Sequence, residues 1–374
     1  MNEMVRLSGV AKNYGEVTAL RPTDLVIGQG EFVTLLGPSG SGKTTILNLI
    51  AGTIQPSAGR IWIHGRDVTS TPANQRQLGM VFQNYALFPH MTIKENIAFP
   101  LKIRRMTKAE IDREVARVLE LVKLPQVADR KPKELSGGQQ QRIAIARSLV
   151  YHPDLILMDE PLGALDKKLR DQMQLEIKRL HETLRMTVLY VTHDQEEALV
   201  MSDRVCLMNN GQIEQIGTPE DLYFRPRTVF SADFLGESNI LEAEVLSGGP
   251  ACRLRISGET VVGDVRGCAA SPGTRIQVLI RPENVRLAGE SGGRESILQG
   301  TVDEVIFLGG VTNLRARLAN GAMVIAKNLT RREGTDWAKG MPVRLTFDAG
   351  DVVVLEGSGQ EAETVPVVPR TAAE

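Results

Sequence analysis

Gly37-Pro38-Ser39-Gly40-Ser41-Gly42-Lys43-Thr44-Thr45 constrains this chain more than any other stretch. It fits the phosphate-loop pattern, and it lies between two apolar runs, at 32–36 and 46–50. Strand, glycine-rich turn and helix is the context that the pattern requires. Glycines let backbone N–H groups close around phosphates, and a helix N-terminus adds partial positive charge. Lys43 is then expected to reach the β- and γ-phosphates of a nucleotide, and the Thr44 hydroxyl to hold Mg²⁺.

With 374 residues the chain is long for one domain, and its character changes once. Up to about residue 235, short apolar runs at 32–36, 78–82, 155–158 and 188–191 alternate with helical patterns. Nearly continuous apolar runs suit parallel strands covered on both faces, so an α/β fold is expected. Thr107 and Glu110 form a capping box that opens a helix with Ile111, Val115, Val118, Leu119 and Val122 on one face. Residues 171–184 read as another long helix.

From about Glu237 the period becomes two, as in 312–318 and in Val343, Leu345 and Phe347. Glycine punctuation at Gly248-Gly249-Pro250, Ser291-Gly292-Gly293 and Gly309-Gly310 fits a small all-β barrel or sandwich. The stretch after Gly357 is small, polar and proline-containing, and is expected to be a disordered tail.

Composition excludes several classes. Hydrophobic content of 42% and charged content of 24% suit an ordinary soluble core. A formal net charge of -1 gives no whole-chain surface for a polyanion. No apolar run approaches the ~18 residues of a membrane span, and 1–6 lacks a signal-peptide core. The three cysteines, Cys206, Cys252 and Cys268, have no metal-like spacing and read as buried thiols in a reducing compartment.

Chemistry gathers where apolar runs end. The run at 155–158 ends in Asp159 and Glu160. Asp159 is placed to hold Mg²⁺, directly or through water, and Glu160 to polarise an attacking water as general base. The run at 187–191 leads to His193, able to contact a γ-phosphate and orient the water. Gln83 ends the run at 78–82, as a Mg²⁺ ligand or a γ-phosphate sensor. In Leu135-Ser136-Gly137-Gly138-Gln139-Gln140-Gln141-Arg142, Ser136 is a good N-cap for the helical pattern at 143–149. Two glycines there leave N–H groups open, which makes a second anion site. One chain has no evident need for two γ-phosphate cradles, so the second is expected to serve a nucleotide held by another subunit.

With these motifs the chain resembles the ATP-binding-cassette ATPases over about 4–236. The Leu-Ser-Gly-Gly-Gln string at 135–139 is similar to that family's signature motif. The resemblance implies a P-loop NTPase fold, with a RecA-like core and a helical sub-domain at about 84–150. It implies ATP and Mg²⁺ as cofactors and Tyr14 stacking on adenine. It makes Gln83 the Q-loop, Glu160 the catalytic carboxylate, Asp166 the D-loop and His193 the switch histidine. The implied working unit is a head-to-tail homodimer, each ATP lying between one copy's phosphate loop and the other's Ser136, Gly137, Gly138 and Gln139.

Residues 81–92 and 96–99 look like importer ATPases, and the segment around Ile280-Arg281-Pro282-Glu283-Asn284-Val285 resembles an oligonucleotide-fold-like (OB-like) TOBE domain, here 237–357. Polyamine (spermidine/putrescine) importers are the group most resembled, with sugar, ferric iron or another small solute as alternatives. Two integral-membrane permease subunits, and indirectly a periplasmic or extracellular solute-binding protein, are the implied partners. The implied place is the cytoplasmic face of the bacterial inner membrane. Residues 84–100 are either the permease-facing surface or local core of the helical sub-domain.

Some family members act on DNA or the ribosome. The interval from Lys43 to Ser136 has no sustained heptads, and the chain has one phosphate loop and one signature. The aromatics of the β-rich extension, Phe307, Trp337 and Phe347, form no stacking stripe, so no nucleic acid is expected. The extension reads first as a dimerisation platform and second as a ligand sensor.

Overall fold

The computed structural model describes residues 2–248, 252–263, 271–287, 296–330 and 337–356. The chain divides into two compact units, 1–222 and 223–374. The division falls before the expected 236/237 boundary. Arg281, 3% exposed, donates to the carbonyls of Tyr223, Ala232, Gly236 and Glu237, and Ala232 packs with Leu279 and Leu355. These contacts bind the preceding helical turns to the C-terminal unit.

The first unit is built on a six-stranded sheet in the order Gln212–Gly217, Arg204–Asn209, Phe32–Leu36, Thr187–Thr192, Leu155–Asp159, Gly79–Val81. All neighbours pair in parallel except the Gln212–Gly217 edge. Alternate residues of the central strands feed two separate cores. Phe32, Ile156, Met158, Val188 and Tyr190 enter one, with Ile97, Leu101, Val115, Val118, Ile143 and Ile177 from the helices. Val33, Leu35, Leu155, Leu157, Leu189 and Val191 enter the other, with Ile46, Leu47, Leu49 and Ile50 of helix Lys43–Ala51. This is the two-faced burial that the apolar runs demand. A four-stranded sheet, in the order Val17–Gly28, Glu3–Tyr14, Ala58–Ile63, Arg66–Asp67, adds Val5, Leu7, Leu20, Ile27 and Ile61 to that second core.

Helices Ile93–Ile103, Lys108–Leu121 and Gly137–Leu149 line the first core. Each starts at a capping box, Thr92 with Glu95, Thr107 with Glu110 and Ser136 with Gln139. Among the described residues the second unit has two five-stranded sheets that share a core. One sheet supplies Leu241, Val245, Leu254 and Val278, the other Leu298, Leu314, Leu345 and Phe347. Cys206 and Cys252 are buried, and burial pushes the Cys206 thiol up to about 12. Cys268, Gly249-Pro250, Ser291-Gly292-Gly293 and the tail from Gly357 lie outside the described residues.

Candidate active site

The phosphate loop leaves the fully buried Phe32–Leu36 strand and enters helix Lys43–Ala51. Its conformation requires glycine. Gly37 and Gly42 have φ of +152° and +99°, and a Cβ on Gly37 would stand 2.2 Å from the Met208 carbonyl oxygen. Pro38 and Thr45 are half-buried, while Ser39 and Gly40 are exposed at the rim. Lys43 is 5% exposed, and its Nζ donates to the carbonyls of Gly37 at 2.7 Å and Pro38 at 2.8 Å. Burial lowers its pKa, opposed by the charges of Glu160 and Asp159. The Ser41 hydroxyl is buried without a hydrogen-bond partner. A buried cation that donates to backbone carbonyls and an unpaired hydroxyl, inside a glycine cradle, fit an anionic ligand such as a nucleotide phosphate.

Beside the loop, the Thr44 hydroxyl donates to Asp159 Oδ1 at 3.3 Å. Burial raises the Asp159 pKa and Glu160 adds to the rise, while the Thr44 bond and Lys43 oppose it. Among the described residues no group of three His, Cys, Asp or Glu could hold a metal. Thr44 and Asp159 supply hard oxygen donors, which suits Mg²⁺ completed by phosphate and water oxygens. Glu160 is the meeting point of three strand ends. Its carboxylate accepts from Gln83 Nε2 at 3.3 Å and lies 3.3 Å from His193 Nδ1. Its N–H donates to the Val191 carbonyl at 3.0 Å. The sequence-predicted Lys43, Thr44, Gln83, Asp159, Glu160 and His193 thus belong to one constellation at the carboxyl ends of parallel strands.

The remaining expected residues lie apart from that constellation's bonds. Tyr14 is 52% exposed, its ring 4.9 Å from Lys12 Nζ. Ser136 Oγ accepts from the Gln139 N–H at 3.4 Å, and Gln139 Oε1 accepts from the Ser136 N–H at 3.0 Å. The helix they open has no acidic residue in its first turn, so its N-terminal positive end is uncompensated by its own side chains. Positions for a Cβ on Gly137 and Gly138 lie 3.3 Å from Leu165 and 2.9 Å from Leu169. Between those two leucines, Asp166 caps helix Lys167–Leu184 by accepting from the Leu169 N–H. The Ser136 and Asp166 segments therefore pack on each other.

Residues 84–100 are partly core and partly exposed, with Tyr85 and Leu87 half-buried against the first core. Ile93, Ile97 and Ala98 are core, whereas Pro89 and His90 are exposed. Tyr85 and Ala86 have positive φ, and their carbonyls accept from Arg147. Asn96, fully buried, accepts from the Phe88 N–H and donates to the carbonyls of Phe88, Met91 and Thr92. Sequence reasoning missed Asn96 and Arg147, and it missed Arg170, Asp194 and Glu197 around His193. The available signal was position alone: Arg170 stands one turn beyond Asp166, and Asp194 directly follows His193.

The ABC transporter family model matches residues 20–163, and the TOBE domain model matches residues 278–355. A spermidine/putrescine import ATP-binding protein, PotA, of Nitratidesulfovibrio vulgaris is 44% identical over 95% of this chain and 98% of its own length. The PotA of Thermobifida fusca is 46% identical over 90% of this chain and 91% of its own. The dimeric post-hydrolysis state of the ATP-binding cassette MJ0796, bound to ADP and Pi, is 36% identical, with a TM-score of 0.52 over 58% of this chain and 99% of that one. CbiO1 of Clostridium perfringens, part of the ABC transporter complex cbiONQ, is 25% identical, with a TM-score of 0.56 over 59% of this chain and 91% of that one. The chain belongs to the ABC transporter family, as an ATP-hydrolysing subunit that joins one cassette to a C-terminal TOBE domain.

Proposed function

We propose that two copies of this chain close head-to-tail on two MgATP and drive a pair of integral-membrane permease subunits that import a polyamine, spermidine or putrescine. The observation that carries the hydrolytic part is the Glu160 carboxylate, held by Gln83 and facing His193, beside Lys43, Thr44 and Asp159. The polyamine assignment is supported by relatives that match nearly the whole chain.

When bound, MgATP supplies the phosphoanhydride bond that is cleaved. Lys43 exchanges its two carbonyl partners for phosphate oxygens, and the unpaired Ser41 hydroxyl and the backbone of the glycine loop close the cradle. Thr44 and Asp159 would hold Mg²⁺, whose charge would offset that of the phosphates, and Gln83 would ligate it or contact the γ-phosphate. Glu160 takes the proton of the attacking water, and His193 orients that water. Tyr14 offers its exposed ring to adenine. Ser136 to Gln139 of one copy present their helix N-terminus to the nucleotide of the other, with Asp166 beside them.

Closure reaches the permeases through residues 84–100, which begin one residue after Gln83. Among the described residues no helix is long and apolar enough to cross a membrane. The reading puts the chain at the cytoplasmic face of the bacterial inner membrane, held there by its permeases, with a solute-binding protein acting on them from outside. The second unit serves as a dimerisation platform. The test is uptake of labelled spermidine or putrescine in a strain lacking its own ATPase subunit and supplied with this chain and its permeases. ATP-dependent polyamine uptake is expected. Uptake of a sugar or ferric iron instead would overturn the cargo assignment.

A further inference from the structure

We infer that Arg170 is a positioning residue for hydrolysis, its guanidinium bridging the Leu165 carbonyl and the Asp194 carboxylate and so locking the segment that enters Asp166 to the segment that carries His193. The inference rests on the roles proposed above for His193 and Asp166.

Arg170 lies one helical turn after the Asp166 cap. Its Nη2 donates to the Leu165 carbonyl at 3.1 Å, and its Nη1 donates to Asp194 Oδ2 at 3.0 Å. Its Nε stands 3.9 Å from Glu197 Oε1, an ion pair without a hydrogen bond. A planar fork with donors in fixed directions can hold two partners at once, which a lysine ammonium does not reproduce.

Both partners are themselves fixed. Asp194 Oδ1 caps helix Gln195–Met201, accepting from the N–H groups of Glu196 at 2.8 Å and Glu197 at 3.3 Å. The Asp194 N–H donates to Thr192 Oγ1 at 3.0 Å. Thr192 Oγ1 and Tyr190 Oη donate to the buried Glu197 carboxylate at 2.7 Å and 2.8 Å. His193 is therefore flanked on both sides by residues tied into one network, and its ring faces Glu160. On the other side, Leu165 packs at the start of the Ser136-capped helix. Arg170 thus joins the face that serves the partner's nucleotide to the residues that act on this copy's own. A displacement at one is transmitted to the other through two directed hydrogen bonds.

The test uses the full chain with R170M, D194N, the double variant and R170K. D194N keeps an acceptor oxygen for the helix cap while turning an amide N–H₂ or a neutral oxygen toward Arg170, so it retains the fold if R170M does not. Expected for each single variant is a fall in ATPase kcat of about tenfold to hundredfold, the range for misplacing a group by about 1 Å. KM for ATP and binding of a fluorescent ATP analogue should stay within about twofold, since the phosphate loop is untouched. The double variant should be no slower than the slower single, because both break one bridge. Unchanged kcat in D194N, multiplicative losses in the double variant, or full recovery by R170K would each overturn the inference. Glu160→Gln is run alongside. If it turns over like wild type, the underlying site reading fails and takes this inference with it; if it is inactive while R170M and D194N are not, only the Arg170 bridge falls.

Discussion

Glu160→Gln separates the base from the architecture around it. Volume is conserved, and the amide keeps one acceptor oxygen for Gln83 Nε2, now 3.3 Å from the carboxylate. The lost element is the proposed proton acceptor. General-base catalysis contributes about 10²- to 10⁴-fold, which corresponds to about 2.7 to 5.5 kcal/mol of barrier. ATP hydrolysis should fall by that factor while ATP binding persists, leaving a nucleotide-trapped dimer.

The same substitution has an electrostatic signature. Asp159 is lifted by burial and further by the Glu160 charge, so removing that charge lets Asp159 ionise at lower pH. Lys43 is lowered by burial and partly restored by Glu160, so in the variant it loses its proton at lower pH too. Both limbs of the pH profile for Mg²⁺-dependent ATP binding should therefore move down in pH. Phosphate release, binding of a fluorescent ATP analogue against pH, and size-exclusion chromatography with ATP test this in the full chain. Turnover within about threefold of wild type, or limbs displaced upward, would refute the reasoning.

Two further predictions concern the surroundings. Glu197 is buried, and desolvation raises its pKa despite hydrogen bonds from Thr192 and Tyr190. The folded carboxyl then holds its proton to higher pH than the unfolded one, so its contribution to stability is present at low pH and lost as pH rises through the raised pKa. Glu197→Gln has no such titration, and the Tm of the variant minus that of wild type should increase from about pH 4 to about pH 8. About 1 kcal/mol would appear as about 2–4 °C in a unit of this size, and a difference that does not vary with pH would contradict the assignment. Leu87→Ser alters a half-buried position on a loop that Asn96 and Arg147 keep in place. Polyamine uptake should drop by about tenfold, the scale of one interface anchor, with ATP affinity within about twofold; undiminished uptake removes this loop from the permease interface.

Much of the candidate constellation was legible because its members stand where apolar runs stop. Gln83, Asp159 and His193 follow runs that feed two cores by alternation, and a parallel sheet brings such ends to one edge. What could not be read has no periodic trace. The helix expected at 143–149 begins at Gly137, because the Ser136–Gln139 capping box overrides the poor propensity of two glycines. The helix expected at 171–184 begins at Lys167 for the same kind of reason, the Asp166 cap. Asn313 is buried, although the alternation at 312–318 assigns it to the polar set. The start of the second unit depends on Arg281, whose partners at Tyr223 and Ala232 are far away in sequence. Hydrogen-bonded hubs of this kind are specified by three-dimensional position and not by spacing.

The backbone at Glu160 explains how two neighbouring carboxylates can serve one site. In an extended strand, Asp159 and Glu160 would project to opposite faces of the sheet. The strand ends at Asp159, and Glu160 takes φ of +42°, a left-handed conformation that costs a side-chain-bearing residue about 1–2 kcal/mol. Pro161, which follows, restricts that position further. The conformation is held because the Glu160 N–H donates to the Val191 carbonyl and the Glu160 carbonyl accepts from the Gly163 N–H at 3.3 Å. Asp159 is thereby left with Thr44, while Glu160 is turned to Gln83 and His193. A glycine at this position would relieve the strain and remove the acid. The strain is consequently tolerated for the side chain that it aims, and the two carboxylates are kept apart for the duties proposed above: one toward the metal, the other toward the water.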